Sequence, residues 1–388
     1  MPQVQTVVVV GAGICGLSTA IACSAAGAQI EVLEAAPRLS PLGTAISLWP
    51  NAQACLTSWG LRDVVDIIGH PFERISTRRV DGSAIFELDL AELHKKHDHQ
   101  SRCVTRSDLH QMLEKQLPKN AIRLGATAFD LTWSNNSALV TLANSETLEA
   151  DLVIVADGQN SALRPRIHDG AKLRYAGYGS VLGLSDMWQR PPGWGDAAEA
   201  CEYYGPNGRF GVFKLGPNQT YWFFVSSVVP QSTSAKPTDV DWLMEQLRDW
   251  PEFTRELVAN TPPDRMPQVS FHDLAPAPHW GNGRVLLAGD AAHPMIPNFG
   301  QGANQAIEDA HAIGLGVAAG HSGAALAEYY TKRRKQRAER FVAESRQNGW
   351  MTQQEGRLGQ MLRDGFMRMV PRSAVRRQLD RQFTLPNS

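Results

Sequence analysis

Thr6-Val7-Val8-Val9-Val10-Gly11-Ala12-Gly13-Ile14-Cys15-Gly16 runs a β-branched strand straight into a GxGxxG turn, and an Ala-rich helical pattern over residues 17–26 follows. A second β-rich run, Gln29-Ile30-Glu31-Val32-Leu33, ends on the carboxylate Glu34, with Ala35 beside it. Strand, glycine turn, helix, strand and acid in this order form the dinucleotide fingerprint, and each position has a physical reason. Gly11 permits the tight turn, and Gly13 lets backbone approach a pyrophosphate. Gly16 lets helix and strand pack closely. Ile14 and Cys15 open the helix, whose free N–H groups and positive dipole end suit phosphates. Glu34 lies eighteen positions beyond Gly16 and can accept hydrogen bonds from both hydroxyls of an adenosine ribose. It would repel a 2′-phosphate, so this site suits FAD or NAD better than NADP.

The 388 residues suffice for two or three domains with substantial cores. Hydrophobic residues at 43% and charged residues at 20% are ordinary globular values. A net charge of −1 exerts no global pull on nucleic acid or membranes. There is no cationic segment followed by a long apolar one at the start, and no apolar run of membrane-spanning length. The five cysteines (Cys15, Cys23, Cys55, Cys103, Cys201) are scattered and lack CxxC spacing, which points to free thiols and no metal site. In Cys15, small size inside the turn matters more than reactivity. The expectation is a cytoplasmic protein, monomer or homodimer, with no nucleic-acid or membrane partner.

The pattern predicts a Rossmann-like α/β domain interrupted by antiparallel sheet. Residues 1–71 and 101–172 are its first two parts, and 271–330 the third. Within 72–100, Arg74–Val80 and Ala84–Leu90 flank Asp81-Gly82-Ser83, a strong hairpin signal. Residues 173–270 are β-rich and aromatic, with Phe210–Phe213 and Tyr221–Val225 around the turn Gly216-Pro217-Asn218. Residues 331–388 read as C-terminal helices. Such an arrangement leaves a cleft between a rigid cofactor domain and a β-sheet domain, where small-molecule sites tend to lie.

Two further segments follow buried strands. Asp151-Leu152-Val153-Ile154-Val155-Ala156 ends in Asp157-Gly158, with Ser161 and Arg164 beyond. Residues 284–288 end in Gly289-Asp290-Ala291-Ala292-His293-Pro294, which leads to Pro297-Asn298-Phe299-Gly300-Gln301-Gly302-Ala303-Asn304. Asp290 can hydrogen-bond a polyol chain. Gly300 and Gly302 free backbone N–H groups for the electron-rich edge of a flavin. His293 is expected to pack at the start of the next helix.

With these three motifs the chain resembles the single-component FAD-dependent aromatic hydroxylases typified by para-hydroxybenzoate hydroxylase. The segments Gly43-Thr44-Ala45-Ile46-Ser47-Leu48-Trp49-Pro50-Asn51 and Arg174-Tyr175-Ala176-Gly177-Tyr178 look closer to the salicylate hydroxylase and FAD-dependent urate hydroxylase branch. The resemblance implies that Arg106, in Val104-Thr105-Arg106-Ser107-Asp108-Leu109, reaches the FAD. It likewise implies that Ser47 lies near the isoalloxazine, and that Asp157 helps position the pyrophosphate and the pyridine nucleotide. It implies a cycle in which NADH or NADPH transiently reduces FAD, O2 adds at flavin C4a, and the hydroperoxide hydroxylates a small aromatic or heteroaromatic substrate. No residue of the family's substrate site carries over securely.

Arg209, Trp222 and Pro297 are the candidates around the reacting ring. The equivalent strand in the urate hydroxylase branch carries a substrate-facing Arg, and a planar guanidinium could hold an enolate or carboxylate. A solvent-facing turn arginine is the alternative. Tyr204, Tyr221, Trp222, Phe224 and Trp188 could form an apolar wall, although alternation along a strand sends about half of them into the domain core. His94-Lys95-Lys96-His97-Asp98-His99 is expected to be a solvated loop and not a metal site. Lys332-Arg333-Arg334-Lys335-Gln336-Arg337 is expected on a solvated helix face. The C-terminal apolar pattern from Trp350 to Val370 is expected to pack on the FAD domain. An epoxidase, halogenase or reductase on the same frame is the alternative enzyme. A non-catalytic escort protein with a Rossmann fold is the alternative from outside enzymology, and a yellow purified protein would exclude it.

Overall fold

The structure, a computed structural model, describes residues 5–39, 44–195, 197–232, 235–354 and 356–386. Gly43 of the quoted segment lies outside them. A mixed α/β architecture is built on two large sheets.

The first sheet has six strands in the spatial order 281–282, 285–287, 152–155, 6–10, 29–34 and 122–124. Thr6–Val10 pairs in parallel with Gln29–Glu34 on one side and Leu152–Val155 on the other. Val285–Leu287 extends the parallel set, and only the short edge strand Gly281–Asn282 runs antiparallel. Parallel strands covered on both faces read as continuous apolar runs, which is why Val7–Val10 and Leu152–Val155 are buried at every position. Helix α1 (Ile14–Ala25) leaves the first strand, and α2 (Arg106–Glu114) starts at a Thr105 cap whose hydroxyl accepts the Asp108 N–H at 3.0 Å. Helix α3 (Gly302–Ala318) lies against α1 so closely that a Cβ on Gly314 would stand 2.6 Å from the Ala22 Cβ.

The second sheet has eight strands in the spatial order 236–237, 267–274, 173–185, 219–226, 208–216, 199–205, 74–79 and 84–89. All its pairs are antiparallel except Glu199–Gly205 with Arg74–Arg79. The 74–79 and 84–89 hairpin turns at Gly82, whose φ of +84° favours glycine, and Asp81 accepts the Ser83 N–H at 2.8 Å. Helices 240–246 and 252–259 cover the outer face, burying Phe210, Trp222, Phe224, Trp250 and Phe253.

The chain ends in α4 (Gly323–Thr352), α5 (Gly356–Met369) and α6 (Arg372–Phe383). Leu379 and Phe383 of α6 join Trp49 and Phe72 in a third apolar cluster. The expectation for the stretch from Trp350 to Val370 fails at α5: Leu358, Met361, Leu362, Phe366 and Met369 are exposed. The residues of α5 that hold it to the protein, Gln360, Arg363 and Asp364, are polar.

Two charged stretches also depart from expectation. The residues from His94 to His97 end a helix, Ala91–His97, and are no solvated loop. His94 is buried with Nε2 2.9 Å from the Ser101 hydroxyl, and His97 meets Asp380 at 2.8 Å. In the basic run of α4, Arg334 is 2% exposed and ion-paired with Glu308 and Asp309, so that position is core. Two carboxylates from α3 supply the countercharge that permits its burial. Among the described residues no cluster suited to a metal ion occurs, and no helix is long and apolar enough to cross a membrane.

Candidate functional site

The loops after Val10, Val155 and Leu287 leave the same carboxyl edge of the parallel sheet, the location where α/β folds bind ligands. They open onto one cavity of about 560 Å³ that continues to the inner face of the second sheet.

At the sheet edge the glycines divide into two kinds. Gly11 has φ +100°, and a Cβ there would stand 2.5 Å from the Ala156 carbonyl oxygen; one on Gly16 would stand 1.8 Å from that of Gly11. These two set backbone packing. Gly13 and Gly158 have no atom within 4 Å of such a Cβ, and both line the cavity. Ile14 and Cys15 line it beside them. Cys15 also packs under Gly289, and burial holds its thiol well above the ordinary range, so it is no nucleophile. Glu34 accepts the Ala12 N–H at 2.8 Å and the Ala36 N–H at 2.9 Å, which ties the acid to the glycine turn; Ala35 between them is exposed. Arg106, at the start of α2, is exposed into the cavity.

Arg164 joins the other two loops. Its guanidinium donates to the carbonyls of Gly158, Gln159, Asp290 and Ala291, the last at 2.7 Å. Asp157 turns inward and accepts the Ala162 N–H at 3.0 Å; burial raises its carboxyl pKa against those hydrogen bonds. One of its oxygens, Oδ1, is buried without a partner. Asp290 is open to the cavity while its neighbours Gly289 and Ala291 are buried. His293 stacks on Trp280, ring centroids 4.8 Å apart, and meets Asp309 at 2.5 Å. It holds the loop to α3.

Farther along, Pro297, Gly300, Gly302 and Ala303 line the cavity beside Ser47. Gly300 has φ +59° and packs against Ser47 and Trp49. A Cβ on Gly302 would meet only the Met295 Cγ, at 3.9 Å. The first-turn N–H groups of a helix have no intrahelical partner, so α3 offers donors and a positive dipole end here. Gln301 and Asn304 serve by holding this turn. Asn304 accepts the Trp49 N–H at 2.9 Å and donates to the Ser47 and Gly300 carbonyls at 2.8 Å, and Gln301 accepts from Asn51 at 3.1 Å. The wide glycine-lined channel, the exposed Arg106 and Asp290, and the donors of α3 fit an extended dinucleotide carrying a flavin.

The sheet end of the cavity shows period-2 alternation. Ala200, Glu202 and Tyr204, then Arg209 and Phe213, then Tyr221, Phe223 and Val225 face inward. Trp222 and Phe224 face the covering helices. Trp222 stacks on Phe210 at 5.5 Å and donates from Nε1 to Thr261 at 2.8 Å. Its expected role at the reacting ring is therefore overturned, since its register puts it on the far side of the sheet. Phe224 is likewise core, and Trp188 lies against that core with Lys214 over its ring at 5.1 Å.

Arg209 is 3% exposed, which removes the turn-arginine reading. It donates to Glu202 at 3.0 Å and to Asn298 at 2.8 Å, and its Nε has no protein partner. Burial works against its charge, but Glu202 outweighs that and keeps its pKa raised. Asn298 in turn donates to the Tyr178 hydroxyl at 2.9 Å and the Ser345 carbonyl at 2.8 Å. Glu202, Asn298 and Tyr178 were missed in the sequence. Glu202 could have been found there: it precedes Tyr204 by two on a strand whose tight hairpin leads to Arg209.

The FAD binding domain family matches residues 4–345. The chain is 31% identical to the aurachin C monooxygenase/isomerase of Stigmatella aurantiaca, over 98% of each chain. It is 30% identical to the 2-heptyl-3-hydroxy-4(1H)-quinolone synthase of Pseudomonas aeruginosa, again over 98% of each. Klebsiella pneumoniae HpxO, crystallised with FAD and uric acid, superimposes with a TM-score of 0.87 at 26% identity, covering 98% of this chain and 96% of that one.

Proposed function

Because this chain belongs to the FAD binding domain family, we propose that it hydroxylates a small planar aromatic or N-heterocyclic ring with O2, using FAD as resident cofactor and NADH or NADPH as transient hydride donor. At the coarser level it is an FAD-dependent monooxygenase of aromatic or heterocyclic substrates. FAD, when bound, supplies hydride acceptance, O2 activation and oxygen transfer. Gly13, Glu34 and Arg106 would hold its adenosine and phosphate parts, Asp290 its polyol chain, and the N-terminus of α3 its ring. With a single glycine fingerprint in the chain, the nicotinamide has no site of its own in this reading and visits the same cavity.

One observation carries the substrate assignment: a buried guanidinium, Arg209, faces the sheet end of a cavity whose other end suits the dinucleotide. Burial raises the phenol pKa values of Tyr178 and Tyr204 beside it and of Tyr221 farther along the cavity wall. The same surroundings would hold a phenolic or enolic substrate neutral. A ring oxygen beside Arg209 gains the countercharge that makes its anion, and so a more nucleophilic ring, accessible. Glu202 can accept the proton, and Phe213, Tyr221 and Phe223 supply an apolar wall that excludes water.

The test is NAD(P)H oxidation by the FAD-loaded protein against a panel of 4-quinolones, purines and hydroxybenzoates, with product masses. A substrate should stimulate oxidation and gain one oxygen atom. A panel that yields only hydrogen peroxide, with no oxygenated product, would count against the assignment.

A further inference from the structure

Helix α5 sits on the protein with its polarity reversed. Its inward side is held by polar contacts: Gln360 donates to the Gly205 and Pro206 carbonyls at 3.3 and 3.1 Å, and Asp364 accepts from Arg79 at 2.9 Å. Arg363 lies over the Tyr204 ring at 4.3 Å. Outward point Leu358, Met361, Leu362, Phe366 and Met369, exposed by 66, 60, 62, 52 and 75%. At about 100° per residue these five fall within one arc of roughly 140°. Single exposed apolar residues are ordinary, but a contiguous stripe on one helix marks an interaction face.

The charges around the stripe select its partner. From residue 356 to residue 386 the chain carries Arg357, Arg363, Arg368, Arg372, Arg376, Arg377 and Arg381 against Asp364 and Asp380, in a protein of net charge −1. Arg357 and Arg368 border the stripe, and Arg372 and Arg377 follow it. All four are exposed and have no carboxylate partner among the described residues. Two copies meeting through this face would bring like charges together. An apolar stripe flanked by arginines instead matches a helix lying in the interface of an anionic bilayer.

We propose that α5 docks this protein on the surface of anionic lipid membranes, with its five apolar side chains among the headgroups and upper acyl chains. The helix lies in the membrane plane and spans nothing. Met367, on the inward side of α5, lines the substrate cavity together with Met351 of α4. The membrane surface would then stand about one helix diameter, roughly 10 Å, from the cavity. The proposal stands independently of which ring is hydroxylated.

The test is co-sedimentation of the FAD-loaded protein with phosphatidylcholine vesicles, with and without phosphatidylglycerol, at low and high salt. Binding should be at least about tenfold stronger with phosphatidylglycerol and should weaken with salt. Leu362→Ser combined with Phe366→Ser should abolish it while FAD content and melting temperature stay at parental values. Arg368→Gln and Arg372→Gln should each weaken it about fivefold. Equal binding to neutral vesicles, or binding to neither, overturns the proposal. So does a concentration-dependent dimer in sedimentation velocity that the double serine variant dissolves, since the stripe would then be a contact between copies.

Discussion

Gly13 and Gly16 stand three residues apart in one motif, and a side chain at each should have opposite effects. A Cβ on Gly16 would lie 1.8 Å from the Gly11 carbonyl oxygen and 3.0 Å from its carbon. Ordinary contact begins near 3.4 Å, so Gly16→Ala requires α1 to withdraw from the first strand by roughly 1.5 Å. All ten residues of α1 from Ile14 to Cys23 are buried, and a gap of even 0.5–1 Å forfeits about a quarter to a half of each contact. The cost is on the order of 3–5 kcal/mol, above the usual range of core overpacking because the obstacle is backbone and not a movable side chain. Unfolding entropy near 2 cal/mol/K per residue gives about 0.8 kcal/mol/K for a chain of this size. The apoprotein should therefore melt roughly 4–6 °C lower. Gly13 has φ −74° and ψ −177°, extended backbone open to any residue, and a Cβ there meets nothing within 4 Å. Gly13→Val should leave the melting temperature of the apoprotein within about 1 °C. Its branched side chain would instead occupy the space a pyrophosphate needs, and FAD affinity should fall at least about 100-fold, or about 2.7 kcal/mol. Calorimetry of FAD-free protein, followed by FAD titration and the 450 nm to 280 nm absorbance ratio, separates the two. A Gly13→Val protein that retains FAD like the parent would show that no phosphate approaches that residue. A Gly16→Ala apoprotein with unchanged melting would refute the steric reasoning.

Glu34→Ala should weaken FAD binding by about 1–3 kcal/mol, since the carboxylate both orders the Ala12 turn and is assigned to the ribose; equal dissociation constants by dialysis would remove that assignment. Arg209→Lys keeps the charge and loses the fork to Glu202 and Asn298. Substrate-stimulated flavin reduction in stopped flow should drop about tenfold, about 1.4 kcal/mol in the barrier, at constant FAD content, and unchanged rates would argue against the substrate role. Trp222→Phe should cost about 1–2 kcal/mol of stability through the lost Thr261 bond while turnover stays within about twofold; a large loss of turnover in a stable protein would return Trp222 to the site. Burial raises the Asp309 pKa, but His293 and Arg334 outweigh it and hold it at about 2, below its ordinary 3.8. A depressed carboxylate stabilises the fold above its unfolded pKa and loses that as pH falls, so about 2 kcal/mol should disappear between about pH 4 and pH 2. Urea midpoints across that window read it, and Asp309→Asn should flatten the slope; an equal slope in the variant would mean that other carboxylates carry the acid sensitivity.

The parallel sheet and its three ligand-facing loops were legible because their signals are local. A turn that needs φ +100° at Gly11 and a helix that must start within three residues write themselves into adjacent letters. Parallel strands buried on both faces leave the same kind of mark. The double role of the glycines was legible too, in that Gly13 and Gly16 were read as serving different partners. Arg334 was not. A buried cation needs its carboxylates, and Glu308 and Asp309 come from another helix, about 25 residues away. In the one-dimensional record such a residue is indistinguishable from its solvated neighbours in the same basic run.

Periodicity carries a deeper ambiguity, because it names a face without naming what the face meets. In Tyr221-Trp222-Phe223-Phe224-Val225 both sets of alternate residues are apolar, so nothing in the segment says which set lines the cavity. The choice was made outside it: Thr261 gives the Trp222 N–H a partner on one side, and Gly211 leaves room for the Phe223 ring on the other, where a Cβ would stand 2.0 Å from its Cζ. Helix α5 poses the same problem and resolves it against the usual rule. Its stripe is readable in the spacing of Leu358, Met361, Leu362, Phe366 and Met369, and an apolar stripe ordinarily turns inward. Here Arg79, Tyr204 and the Gly205 and Pro206 carbonyls present a polar seat, so the polar side docks and the apolar side is left outward. An orientation fixed by distant polar partners, against the hydrophobic gradient, is stable only if those contacts are strong or if another apolar phase covers the stripe. The seat contains the Arg79–Asp364 ion pair, Arg363 over the Tyr204 ring and two long carbonyl bonds, contacts worth about 1–2 kcal/mol or less each. Burying five side chains of this size is worth more than their sum. That imbalance favours a covered stripe in the working state of the protein.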